Sequence, residues 1–152
     1  MTAKEKKLPW FPDYQTVSAY LIEIFVLSCL LIIDMVSKWQ AQMHDAAIMN
    51  YGGVFGILPS GYWGMGLALL WLILFFQWLK SKFGLSRWGM GLIIVGGLGN
   101  IIDRVIFGFV RDFIYYPFFG FYGNAADIFL IVGVALILFD RITHDFKSND
   151  SV

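Results

Sequence analysis

The chain has 152 residues, of which 59% are hydrophobic, 18% aromatic and only 14% charged. A soluble domain is about a quarter charged, so this chain cannot cover its own surface with polar groups, and lipid is its main solvent. Eleven basic and eleven acidic residues cancel, which argues against a nucleic-acid protein driven by phosphate neutralisation.

In chain order, Lys4, Lys6 and Lys7 precede a first apolar span from about Val17 to Val36. That span is too long for the core of a cleavable signal peptide and reads as a retained anchor. Its one cysteine, Cys29, reads as a small buried hydrophobe; alone, it forms no intrachain disulfide or multi-cysteine metal site. Next comes a mixed stretch, Lys38 to Gly61, with Gly52-Gly53 flanked by Met49, Tyr51, Val54 and Phe55; this composition suits a short hairpin on the membrane surface. A second span runs from about Tyr62 to Leu79 and a third from about Trp88 to Ile106. Between the third span and a fourth, about Asn124 to Phe139, the segment Phe107 to Tyr122 is crowded with aromatics and reads as an interfacial belt. The expectation is an all-α integral membrane protein, residues 1–152 forming one domain of four transmembrane helices with a small extracytoplasmic β-like platform.

Basic residues orient it. Lys4, Lys6, Lys7, Lys80, Lys82, Arg87, Arg141 and Lys147 fall on one side, and only Lys38, Arg104 and Arg111 on the other. The positive-inside rule puts both termini in the cytoplasm.

Ionisable groups at membrane depth are costly unless paired or hydrated, so their positions carry information. Asp34 and Lys38, four apart, can pair on one face at the outer end of span one. Asn100, Asp103 and Arg104 share a stripe near the outer end of span three, extended by Gly96 and Gly99, which let another helix approach. Asn124 and Asp127 begin span four, and Arg111 and Asp112 stand between. Three spans therefore converge their polar groups at the external leaflet, while the inner ends show only ordinary flanking charges. Ion pairing, such as Asp103 with Arg104, can account for several of these residues but not for Asp112 and Asp127 together. Glu23, three turns before Asp34 on the same face, has no functional reading.

Two carboxylates brought close share a proton and supply an acid and a base from one site, which is how aspartic proteases activate water without a cofactor. Serine chemistry lacks support, because His44 and His144 lie on opposite sides and no Gly-x-Ser-x-Gly elbow is present. A metal site lacks a His-Glu-x-x-His motif and a second outer histidine. The rival reading is a small proton-linked transporter or channel. It requires polar residues along the whole path, whereas the cytoplasmic halves offer Glu23 and Gln77. A membrane scaffold without activity leaves Asp112 and Asp127 unexplained.

Five segments in order resemble the motif blocks of bacterial lipoprotein signal peptidase, or signal peptidase II, an integral-membrane aspartic peptidase. They are Asp34-Met-Val-Ser-Lys38, Asn50-Tyr-Gly-Gly-Val-Phe55, Gly96-Gly-Leu-Gly-Asn-Ile-Ile-Asp-Arg104, Val110-Arg-Asp-Phe113 and Asn124-Ala-Ala-Asp127. The resemblance implies that Asp112 and Asp127 form the catalytic dyad. It implies that Asn100, Arg104 and Asn124 line the site and hold substrate or dyad, that Asn50 is the outer-loop asparagine, and that Asp34, Lys38 and Asp103 are structural support. It further implies a monomer in the bacterial cytoplasmic (inner) membrane, without metal or cofactor, its site near the extracytoplasmic face. Its substrates would be diacylglyceryl-modified prolipoproteins, cut just before the lipidated cysteine. The chain departs from the family in a short interval between Lys38 and Asn50, and in small changes at Val95 and Gly97 on a packing face. Gly123 stands where the family often has Phe, and is expected to loosen the approach to Asn124.

Overall fold

The computed structural model describes residues 14–52, 63–82 and 84–149. Helix α1 (Tyr14–Met43) leads into strand β1 (Ile48–Asn50), followed by α2 (Trp63–Lys80) and α3 (Leu85–Phe107). Three short strands come next, β2 (Val110–Asp112), β3 (Ile114–Tyr116) and β4 (Phe121–Gly123), before α4 (Ala125–Asn149). By length and composition, Val17–Met43 and Leu85–Phe107 can cross a membrane.

Two helices outrun the apolar spans that announced them. The α1 sequence after Val36 contains no glycine or proline, so the helix continues and Lys38 is helical rather than the start of a loop. The polar end of α4 likewise has no breaker, and the helix passes Phe139 to reach Asn149.

The helices are turned inside out relative to a soluble protein. Leu21, Phe25, Ile32 and Ile33 of α1 are exposed, as are Leu69 and Phe76 of α2 and Ile131 and Phe139 of α4. Glu23, Asp34, Lys38 and Asp103 are fully buried. Apolar outside and charged inside is the distribution lipid selects.

Helix α3 packs closely on α4 because small residues face each other. A Cβ built on Gly89 would lie 2.7 Å from the Gly133 carbonyl oxygen, and one on Gly96 2.5 Å from that of Ala126. Gly99 leaves room for the Asp34 carboxylate, so the expected small-residue stripe is where neighbouring elements come in. A Cβ on Gly97 would lie 2.7 Å from Trp71, whose indole donates to the Ile94 carbonyl at 2.7 Å. An apolar core of Leu27, Trp78, Ile94 and Val95 joins α1, α2 and α3.

At its C-terminal end, α3 stops at Gly108, whose left-handed φ of 80° suits glycine and whose N–H bonds to the Arg104 carbonyl at 3.0 Å. The returning chain forms β2, which pairs antiparallel with β1 through Ile48↔Asp112, Met49↔Arg111 and Asn50↔Val110. The hairpin expected around Gly52-Gly53 therefore has its described strand paired across the sequence with β2; residues from Gly53 to Tyr62 lie outside the described residues. The aromatic stretch is more than a belt, since β3 and β4 fold into a second antiparallel pair. Their turn passes through Gly120, at φ 67°, and only Phe118 and Phe119 at the tip stand fully out.

Candidate active site

The C-terminal ends of α1 and α3 and the N-terminal end of α4, together with β1 and β2, enclose one buried polar network. Lys38 is its central cation. It pairs with the Asp34 carboxylate at 2.8 Å, as the four-residue spacing predicts, lies 3.7 Å from Asp103, and donates to Asn100 Oδ1 at 2.9 Å. The second Asp34 oxygen accepts the Ala126 N–H at 2.9 Å, which ties α1 to the first turn of α4. Asp103 does not pair with Arg104. It holds Arg111, accepting from Nη2 at 2.6 Å and from the backbone N–H at 3.0 Å, while the Arg111 guanidinium sits 4.3 Å over the Phe107 ring. Consecutive helix residues point apart, whereas the turn at Gly108 carries Arg111 back over Asp103. This contact anchors β2 and so places Asp112.

Three asparagines then aim at two carboxylates, and the orientation of each amide is dictated by its own oxygen. Asn50 Oδ1 accepts the Gly52 N–H at 3.0 Å, so its Nδ2 is left to donate to Asp112 Oδ2 at 2.8 Å. Asn124 Oδ1 accepts the Asp127 N–H at 3.2 Å, and its Nδ2 donates to Asp112 Oδ1 at 2.6 Å. Asn100 Oδ1 is taken by Lys38, so its Nδ2 donates to Asp127 Oδ1 at 3.0 Å. Asp127 Oδ2 accepts the Asn124 backbone N–H at 3.0 Å. Asn124 and Asp127 thus bond reciprocally at the start of α4, the geometry of a capping box with Asn for Ser and Asp for Glu. Asn50 reaches Asp112 because diagonal residues of an antiparallel pair share a face.

Asn124 therefore touches both carboxylates, holding Asp112 through its side-chain amide and Asp127 through its backbone N–H. Each of the four carboxylate oxygens accepts one N–H and keeps acceptor capacity for a further group. Arg104 spans the entrance, donating to the Asn100 carbonyl at 3.3 Å and to the Gly52 carbonyl at 3.2 Å. All nine residues that the family resemblance singles out lie in this network: Asp34, Lys38, Asn50, Asn100, Asp103, Arg104, Asp112, Asn124 and Asp127.

The charges do not cancel. Asp34, Asp103, Asp112 and Asp127 face Lys38, Arg104 and Arg111, leaving one carboxylate without a cation. Burial pushes the Asp112 carboxyl above its ordinary value and the nearby Asp127 charge adds to the rise, against the lowering effect of the Asn50 and Asn124 amides and of Lys38. One proton held by the pair restores neutrality.

Two expectations are corrected. Gly123 does not loosen the approach to Asn124: it is buried in β4, and a Cβ there would lie 2.7 Å from Asp127 Oδ2 and 2.9 Å from Tyr116 Cε2. Nor are the opposite ends of the helices, expected to be the inner ones, occupied only by flanking charges. Arg87 is buried and pairs with Glu23 at 2.7 Å, and Glu23 also accepts the Trp78 indole N–H at 3.0 Å. Tyr116 is the residue beside the site that the sequence did not single out. It was submerged in the aromatic run, and only the strand pairing distinguishes it.

Between α2, α3 and α4 a cavity of about 160 Å³ opens among Leu70, Trp71, Leu74, Ile93 and Leu130 and ends at Asn100 and Arg104.

Residues 26–143 match the family described as Signal peptidase (SPase) II. The chain is 42% identical over 109 residues to a lipoprotein signal peptidase of Caulobacter vibrioides, a match covering 64% of this chain and 63% of that protein. It is 33% identical to the lipoprotein signal peptidase of Clostridioides difficile, over 84% of this chain and 89% of the relative. A bacterial membrane enzyme solved by the in meso method superposes with a TM-score of 0.69 at 26% identity, covering 80% of this chain and 88% of that one.

Proposed function

The chain belongs to the signal peptidase II family, and from that premise we propose that Asp112 and Asp127 are the two carboxylates that carry out its reaction. The protein is an aspartic-type membrane peptidase that removes signal peptides from prolipoproteins. The observation that carries the residue assignment is the hold of Asn124 on both acids at once.

In this reading the pair shares one proton. Asp112, favoured by burial to hold it, donates to the carbonyl oxygen of the residue before the lipidated cysteine. Asp127, at the positive end of α4, takes a proton from the attacking water. As the C–N bond breaks, that proton passes to the leaving amine of the cysteine, and the proton on the former carbonyl oxygen returns to Asp112. Asn50, Asn100 and Asn124 fix the carboxylates, and Arg104 holds the edge of the site to the segment after β1. Asp34, Lys38 and Asp103 act one contact further back, by orienting Asn100, α4 and β2.

All four helices cross the membrane in this reading, with both termini in the cytoplasm and the site at the extracytoplasmic face of the inner membrane. The inside-out burial and the placement of basic residues support it. The protein acts as a monomer and as a single domain. The apolar cavity ending at Asn100 and Arg104 supports entry of the substrate's acyl chains and signal helix from the lipid side.

The test is cleavage by purified protein of a peptide carrying a diacylglyceryl cysteine, with the unlipidated peptide alongside. Wild type is expected to cut only the first. Asp112→Asn and Asp127→Asn should each nearly abolish cutting and still bind the lipidated peptide, with the double variant hardly worse. Either single variant within about tenfold of wild type, roughly 1.4 kcal/mol on the barrier, would contradict the assignment.

A further inference from the structure

Tyr116 stands beside the site and has no part in the reaction as set out so far. It ends β3, opposite Phe121 of β4, and strand alternation puts it on the face shared by Ile114 and Gly123. Tyr115 and Tyr122 point the other way and are exposed. The Tyr116 face is turned towards the acids. The point where a Gly123 Cβ would sit is 2.7 Å from Asp127 Oδ2 and 2.9 Å from Tyr116 Cε2, so the missing side chain lets the phenol edge lie next to the carboxylate. The Phe121 ring holds the phenol from its own side, 5.3 Å between centroids.

The Tyr116 hydroxyl oxygen is buried, and among the described residues it has no hydrogen-bond partner. Leaving a hydroxyl in that state costs on the order of 1–3 kcal/mol, and a phenylalanine would have filled the space without it. The hydroxyl is not needed to hold the acids, whose four oxygens are each bonded to an N–H already. Burial raises its pKa above the ordinary phenol value, and the charges of Asp127 and then Asp112 add to the rise. Near neutral pH it is therefore an intact O–H, a buried donor in the field of two carboxylates and without a hydrogen-bond partner among the described residues.

We propose that Tyr116 is a further catalytic residue, its hydroxyl donating a hydrogen bond to the scissile carbonyl oxygen as that oxygen gains negative charge. No proton leaves the phenol. Water adds to the carbonyl carbon, the π pair moves onto oxygen, and the phenol O–H and the protonated carboxyl share the developing charge. A neutral phenol and a protonated carboxylic acid are a known form of such a site. The inference rests on the Asp112–Asp127 reading and adds the group that stabilises the state those two residues create.

The experiment is steady-state cleavage of the diacylglyceryl-modified peptide by full-length Tyr116→Phe, with Asp112→Asn and Asp127→Asn measured in parallel. A donor used only in the transition state predicts a fall in kcat of about a hundredfold, a KM within about twofold of wild type, and an unchanged or slightly higher Tm. If Tyr116→Phe keeps kcat within about twofold while both aspartate variants are inactive, the role of Tyr116 is refuted and the dyad stands. A raised KM with unchanged kcat refutes it as well, since the hydroxyl would then serve ground-state binding. If the aspartate variants retain activity, the dyad falls and this inference with it.

Discussion

Two buried polar clusters occupy opposite ends of the helices, and they are built on different principles. At the end that the proposed topology makes the inner one, Glu23 spends one oxygen on Arg87 and the other on the Trp78 indole. Arg87 bonds in turn to the carbonyls of Trp78 and Ser81 and sits 4.7 Å from the Tyr20 and Trp78 rings. One acid meets one base, each wrapped by groups from neighbouring helices. The outer cluster has four acids and three cations, and three asparagine amides lead from it to two carboxylates whose acceptor capacity is only partly used. A balanced, closed pair resists change and locks helices together. A cluster with more carboxylates than cations, in which burial raises the Asp112 pKa, favours holding a proton, and a held proton can be moved.

The sharpest way to break this contrast is to remove the outer cation. Lys38→Met takes away the donor that fixes Asn100, and so frees the amide that holds Asp127. Cleavage per folded molecule should fall about a thousandfold, roughly 4 kcal/mol on the barrier. Folded protein is counted separately by thermal unfolding in detergent. If activity declines only in step with the folded fraction, Lys38 is a lock like Arg87 and the two clusters do not differ in kind.

The converse substitution is Glu23→Gln. It strands the buried Arg87 charge and should cost on the order of 3 kcal/mol of stability, read as a clear drop in Tm. At a temperature where the variant is folded, kcat should stay within about threefold of wild type. A large kcat loss in fully folded Glu23→Gln would mean that the inner cluster reaches the chemistry.

How much of this was legible in the sequence depended on the distance over which a partner must be found. Asp34 with Lys38 could be read from helical spacing alone, and the convergence of polar groups at one depth followed from the cost of charge in lipid. Asn124 and Asp127, three apart, carry a further signal, since the same pattern marks a helix N-terminus with reciprocal bonds. Asp103 next to Arg104 suggests an ion pair, but a helix sends consecutive side chains apart, and the return at Gly108 delivers Arg111 instead. Glu23 and Arg87 pair across 64 positions, through a packing of α1 on α3 that no local pattern encodes. Three-residue strands are too short to show alternation, so neither the β1–β2 pairing nor the placement of Tyr116 could be seen beforehand.

Arg104 offers a smaller effect and a finer distinction. Its two terminal nitrogens reach separate carbonyls, those of Asn100 and Gly52, joining α3 to the chain after β1. A lysine carries the charge but not the planar fork. Arg104→Lys should lower kcat/KM about tenfold with little change in Tm. Near-wild-type activity would reduce Arg104 to a counter-charge for the acids.

The smallest effect tests the surplus proton itself. Burial raises the Asp112 pKa in the folded protein, so the folded state binds that proton more tightly than the unfolded chain does. The stability Asp112 contributes is then complete below the ordinary carboxylate value and is lost as pH rises through the raised one. Asparagine at 112 has no such titration, although its amide must face at least one of the Asn50 and Asn124 donors, which costs a constant amount at every pH. The Tm of Asp112→Asn minus that of wild type should therefore climb with pH across this window and flatten above it, whatever its starting sign. Each unit of pKa rise is worth about 1.4 kcal/mol over the whole window. A flat difference would mean that Asp112 gains no proton affinity on folding, and a falling one that the site stabilises its charge. In either case the outer cluster would be balanced by some other means, and the resting proton would have to be sought elsewhere than on Asp112.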